Sequence, residues 1–189
     1  MKILENLHMT LIAGLVLLLI VLFGLHAADI ATQAFWAFIF RLVHVFFGIL
    51  WIGLLYYFNF VQIPSMPKIP DEQKPAIGKV IAPTALFFFR WAAAMTVLFG
   101  LITAHMNGYL IEALTFQLPT IGIGMWLALI MAFNVWFIIW PNQKKALGMV
   151  EVDADAKKKA ARLAMLTSRT NTLLSLPMLY CMVAYQNVG

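Results

Sequence analysis

Arg41 and His44 stand one helical turn apart inside an apolar run, and Arg90 stands inside another. The residues around the pair are hydrocarbon-like: Phe35-Trp36-Ala37-Phe38-Ile39-Phe40 before it, Val45-Phe46-Phe47-Gly48-Ile49-Leu50-Trp51 after it. Ionisable groups at bilayer depth are costly, so they face a bundle interior, a partner or a cofactor. The chemistry open to such a set is the holding of a b-type haem. A neutral imidazole is a good axial ligand for the iron, and guanidinium groups match the carboxylates of the propionates. His44 is therefore the candidate ligand, and Arg41 and Arg90 are candidate propionate partners. The alternatives are a hydrogen-bonded structural histidine at 44, an Arg41 that caps backbone carbonyls, and an Arg90 that does the same or bonds Asn134.

The elements that would position these groups are membrane helices. The chain has 189 residues, 63% hydrophobic and 11% charged, which is the composition of an integral membrane protein. Five runs reach the length of about 20 residues that a helical span needs: roughly 9–28, 35–62, 82–104, 119–140 and 170–187. The expected fold is all-α, one polytopic helical bundle of five spans forming a single membrane domain over residues 1–189. Continuous apolar runs, without alternation, argue against a β-barrel.

Basic residues are sharply partitioned. There is no Lys or Arg between spans one and two, between spans three and four, or after span five. The opposite face carries Lys2, Lys68, Lys74, Lys79, Lys144, Lys145, Lys157, Lys158, Lys159, Arg162 and Arg169. The positive-inside rule then places the N-terminus in the cytoplasm and the C-terminus outside, in a bacterial inner membrane. The net charge of +5 comes from these cytoplasmic segments and reads as contact with anionic lipid heads, not nucleic acid. Span one could be a signal peptide, with Lys2 before it and Ala27-Ala28 after it. Its apolar run exceeds the usual core of about 7–15 residues, which favours a retained helix.

On this topology His44 lies about 15 Å along span two, with Arg41 one turn nearer the outer surface. Span three runs the other way, so Arg90 approaches the midplane from the cytoplasmic side. His26 closes span one and His105 closes span three. The outer half is therefore expected to gather His26, Arg41, His44 and His105, with Asp29 the one acid nearby. His44 and His105 are the candidate metal ligands, and His26 a weaker one at the interface. His8 reads as interfacial. Phe46, Phe47, Trp51, Phe87, Phe88, Phe89 and Trp91 could wall a macrocycle, ordinary membrane core and belt being the favoured reading of any single one of them. Cys181 is the only cysteine, so it has no internal disulfide and no metal-ligand spacing.

Two polar segments complete the chain. The stretch 63–81 contains Pro64, Pro67, Pro70 and Pro75 and is expected to be a cytoplasmic surface loop, not a continuous helix. In 142–169, Asp153 and Asp155 precede Lys157-Lys158-Lys159 and Arg162. That order suits a helix dipole, acidic turn first. The segment reads as a solvated helix leading into span five, or as a docking surface. Nothing supports hydrolytic or nucleophilic chemistry: there is no pair of buried carboxylates, no Gly-rich phosphate loop and no Cys/His cluster.

Several stretches resemble the N-terminal membrane domain of PuuD-type bacterial urate oxidases (urate hydroxylases): His44–Gln62, HVFFGILWIGLLYYFNFVQ; Phe89–Gly100, FRWAAAMTVLFG; Asn134–Lys145, NVWFIIWPNQKK; and Ser168–Met178, SRTNTLLSLPM. The His44 segment is also similar to the first helix of HemJ-type protoporphyrinogen oxidases, in which the corresponding histidine is a haem ligand. The first resemblance implies a membrane oxidoreductase. Its members carry further membrane helices and a cytochrome c domain, whereas this sequence has no Cys-x-x-Cys-His. Electrons are then expected to leave to a separate cytochrome c or to quinone. The expected function is a b-haem electron-transfer protein, or the membrane part of a split urate-oxidase-like system. The alternatives are a non-catalytic accessory or assembly subunit of a larger membrane complex, and a porphyrinogen oxidase.

Overall fold

A computed structural model describes residues 2–188. Among them every regular element is helical. We number the helices α1 (Leu7–His26), α2 (Gln33–Lys68), α3 (Lys74–Met106), α4 (Leu110–Leu114), α5 (Pro119–Ala146) and α6 (Ala154–Asn187). The chain divides into two compact units, Met1–Ile39 and Phe40–Gly189.

In the first unit, Asn6 caps α1 by accepting from the His8 and Met9 amides. The helix buries none of its residues. It is apolar all round, so no face is distinguished as a packing face.

The second unit is built around helices interrupted by wide turns, and the prolines explain where. Each of three π-helical segments, Tyr57–Gln62, Ile77–Ile81 and Asn134–Ile139, ends just before an X-Pro pair: Ile63-Pro64, Ala82-Pro83 and Trp140-Pro141. The N–H of Ile63, Ala82 and Trp140 reaches back five residues, to the carbonyls of Phe58, Ile77 and Val135. A proline ring collides with the carbonyl four residues before it and supplies no N–H. A widened turn at that place lets the helix continue through the proline. The expectation of a loop over 63–81 is corrected accordingly: α2 runs on to Lys68, α3 begins at Lys74, and only 69–73 lies outside helix.

Helices α1, α2, α3 and α5 are long and apolar enough to cross a membrane. The fifth expected span, 170–187, is the second half of the 34-residue helix α6. This helix is not among those apolar enough to cross a membrane, and it carries polar residues on its inner face. Ser168, Asn171 and Ser175 are buried, while Leu173, Leu176, Tyr180 and Val183 are exposed. The inward set recurs every three or four residues, the spacing of one helix face. Asp153 starts this helix, its side chain accepting from the Ala156 amide at 2.7 Å, in keeping with the acidic first turn read from the sequence.

These buried polar groups tie α6 to its neighbours. Asn59 of α2 donates to Ser168 at 2.8 Å, and Tyr56 and Ser175 share a hydrogen bond at 2.9 Å. Asn171 accepts from Asn134 of α5 at 2.8 Å and donates to the Met131 carbonyl at 2.9 Å. Around this seam lies the main core, with Trp51, Leu55, Phe58, Phe89, Met131 and Val135 almost fully buried.

Candidate functional site

One turn of α3 creates the setting for His44. The His44 ring lies against Gly100, where a Cβ would fall 2.8 Å from both Cε1 and Nδ1. No side chain at 100 could be accommodated without moving the ring. The space lets Nδ1 reach the carbonyl of Thr96, one turn earlier, at 2.7 Å. A carbonyl only accepts, so Nδ1 carries the proton, and in the neutral imidazole Nε2 is left with a bare lone pair. An Nδ1–H to carbonyl bond of this kind orients histidines that bind metals through Nε2.

Nε2 has no protein partner, and His44 lines a cavity of about 500 Å³. Ligand and cofactor sites commonly enclose about 300–1,000 Å³. The lining is mostly apolar and much of it is small: Gly48, Gly53, Gly100, Ala104 and Ala128 leave the space, and Trp51, Met125 and Met178 close it. Val45 and Ile49 of α2 and Leu179 and Val183 of α6 line the cavity and are also exposed, so it opens sideways between these two helices.

Polar groups converge at one end, where Arg41, Thr103, Tyr109, Gln186 and Asn187 join the lining. Arg41 Nη2 reaches Asn107 Oδ1 only at 3.5 Å, and its buried Nε has no protein partner. Among the described residues no carboxylate forms an ion pair with it. Burial pushes the Tyr109 phenol above its usual range, Arg41 opposing and Tyr185 adding to the rise. The end is thus a cationic, neutral-donor environment suited to an anion.

The expected gathering is met only in part. Arg41 and His44 share the cavity, whereas His105 is exposed and Arg90 is not in the lining. His26 lies in the first unit and bonds Asp29 through Nδ1 at 3.1 Å. Arg90 is placed by aromatic rings: its guanidinium sits 3.6 Å from the centre of the Trp140 ring, and its backbone carbonyl accepts from Trp136 Nε1. Asn134, the alternative partner for Arg90, donates through its amide nitrogen to Asn171. The seven aromatic residues mostly lie away from the cavity, in keeping with the favoured reading of each. Of those seven residues only Trp51 lines the cavity; Phe46, Phe87, Phe88 and Trp91 are exposed, and Phe89 is buried in the main core. Among the described residues there is no group of three or more His, Cys, Asp or Glu placed to hold a metal ion.

Sequence reasoning missed Thr96, Gly100, Tyr109 and the methionines. The glycine at 100, within an otherwise apolar span, was the one available signal of a close approach.

Residues 85–187, more than half the chain, match the urate oxidase N-terminal family. The chain belongs to the urate oxidase N-terminal family. No curated protein and no solved structure matches it. The matched segment carries three of the four stretches on which the resemblance rested, and it supplies the α3 and α6 walls of the cavity, including Thr96 and Gly100. His44 and Arg41 precede it, so in this urate oxidase N-terminal chain their roles rest on geometry.

Proposed function

We propose that this chain is a multi-pass inner-membrane protein that holds a b-type haem in the α2–α6 cavity and moves electrons in a urate-oxidase-like system. One observation carries the reading: His44 is pinned through Nδ1 to the Thr96 carbonyl, leaving Nε2 free in a cavity whose polar end holds Arg41, with no carboxylate against it and its Nε without a protein partner. The residues present fit the group. His44 would ligate the iron, Arg41 would neutralise a propionate, and the Gly/Ala-lined space would admit a flat macrocycle. When bound, haem supplies one-electron chemistry. The protein residues set its orientation and exclude water with Trp51, Ile52 and the methionines.

The electrons would pass to a separate cytochrome c or to quinone, the cavity's lateral opening being apolar on both sides. The inverted patterning of α6, polar inside and apolar outside, supports a fifth crossing, with the N-terminus in the cytoplasm and the C-terminus outside. A C-terminal reporter reachable only from the periplasm is the expected result; one reachable from the cytoplasm overturns the orientation.

The decisive experiment is the visible spectrum of the purified full chain. A reducible Soret band with a sharp α-band, lost in His44→Ala while membrane insertion persists, supports the reading. A colourless protein refutes it. Urate consumption is expected only with an added cytochrome c or quinone acceptor; robust turnover by the chain with oxygen alone would refute the split system. A second reading, membrane subunit of a larger complex, is favoured by α1, which is apolar on every side and buries none of its residues. Colourless protein that co-purifies in such a complex would support it.

A further inference from the structure

Arg90 is a charge within an apolar helix that the cavity does not use. Its guanidinium carbon lies 3.6 Å from the centre of the Trp140 ring and 5.9 Å from the centres of Phe87 and Trp136. Trp136 is held by its bond to the Arg90 carbonyl, and Trp91 packs edge-on against it at 5.4 Å. The rings fix where the cation sits, yet they leave its donors unmet. A guanidinium presents five N–H donors in a rigid fork. Among the described residues the Arg90 side chain makes no hydrogen bond and no ion pair, and its Nε is buried without a partner.

A second cation shares the same ring. Lys144, one turn on from Trp140 in α5, brings its Nζ to 5.6 Å from the ring centre. Among the described residues neither cation has a carboxylate within ion-pairing distance. Asp71 is paired with Lys74 instead, and Asp153 caps α6. Two like charges at one ring repel each other and call for a counter-charge. The ring also marks a level in the bilayer. Trp140 ends an apolar stretch, and Pro141-Asn142-Gln143-Lys144-Lys145 follows it. Tryptophans concentrate where hydrocarbon gives way to headgroups. On α3, Phe87 and Trp91 flank Arg90 and are exposed, so apolar surface lies beside the cations.

We propose that Arg90 and Lys144 hold the phosphodiester of an anionic phospholipid, whose acyl chains lie along the exposed rings of Phe87 and Trp91. Basic sites between spanning helices at the membrane face take such headgroups. A guanidinium matches phosphate with paired N–H···O bonds, and an ammonium adds a point charge. An amphiphile answers both halves of the site. A free phosphate would meet the cations and leave the aromatic surface uncovered. The proposal is separate from the haem reading. It needs only that α3 and α5, both long and apolar enough, cross a bilayer.

The test is native mass spectrometry of the purified full chain in detergent, titrated with dioleoylphosphatidylglycerol or dioleoylphosphatidylcholine. Wild type is expected to retain phosphatidylglycerol at concentrations where phosphatidylcholine leaves no adduct. Arg90→Gln and Lys144→Gln should each weaken that adduct about fivefold, or about 1 kcal/mol for one basic residue at headgroup level. Arg90→Lys, which keeps the charge and loses the fork, should recover part of the loss. Lys157→Gln removes an equal charge from the exposed start of α6 and should change nothing. Thermal denaturation gives a second readout: phosphatidylglycerol should raise the melting temperature of wild type, and millimolar inorganic phosphate should not. Should Arg90→Gln fail to fold, Lys144→Gln carries the test alone. Equal retention of the two lipids, or unchanged affinity in Lys144→Gln, overturns the proposal. So does a loss in Lys157→Gln as large as in Lys144→Gln, which would mean diffuse attraction. Stabilisation by inorganic phosphate without lipid would make the occupant a soluble anion and overturn the lipid assignment.

Discussion

Helices α2 and α6 meet in two different ways along their length. At the Asn59 end their polar side chains close on one another: Asn59 with Ser168, Tyr56 with Ser175, and Asn171 joining in from α5 through Asn134. At the His44 end the same two helices line a cavity, and the polar groups there are held by one partner or by none. Both ends bury polar atoms where an unmet hydrogen bond costs about 1–3 kcal/mol. The difference teaches how to read such atoms. A polar group whose partner is another side chain of the same seam is structural. Asn59 Oδ1 at the seam and Arg41 Nε at the cavity both lack a protein partner, so it is the cavity beside His44, and not an orphan atom alone, that singles that end out.

The comparison breaks most severely at His44 itself. His44→Ala should abolish or sharply reduce b-haem content, measured as haem per protein, without preventing membrane insertion. Gly100→Ala should come next. Its new methyl would have to displace the His44 ring and its bond to Thr96, a loss of orientation that typically weakens a metal site by about 10–100-fold. A haem titration that gives wild-type affinity for this variant would remove the role assigned to the glycine.

Asn171→Ala tests the other end. It leaves the Asn134 side-chain amide without its partner and removes one of the two donors to the Met131 carbonyl, and should lower unfolding stability in detergent by about 1–2 kcal/mol with no change in the haem spectrum. A spectral change there would mean that seam and cavity are not separate. Arg41→Ala should retain haem and shift its potential or occupancy modestly, because it loses a propionate partner and not an iron ligand. His105→Ala should do least: an exposed residue outside the lining leaves spectrum and affinity as they were, and an altered spectrum would return it to the ligand set.

Much of this was legible without coordinates. Composition and run lengths alone yielded the all-helical architecture, because a bilayer accepts little else from continuous apolar segments. The rarity of charge at depth singled out Arg41 and His44, since a buried cation needs a reason wherever it sits. The likeness of Phe89–Gly100, Asn134–Lys145 and Ser168–Met178 pointed to the family that the match over 85–187 shows. What the chain could not disclose is pairwise. A proline need not end a helix: the turn before it widens at Pro64, Pro83 and Pro141, and α6 runs straight through Pro177. Whether an arginine meets a carbonyl, an amide or an indole depends on which helix lies beside it, and Arg90 found Trp140. Aromatic residues look alike in sequence whether they wall a cavity or face outward, and here glycine, alanine and methionine make most of the wall. By its apolar run 170–187 counts as a fifth span in the sequence, whereas by length and hydropathy four helices qualify and α6 is not among them. Helix periodicity is a property of one segment and can be read there; contacts between helices arise from packing many segments at once, and only the folded arrangement selects among them.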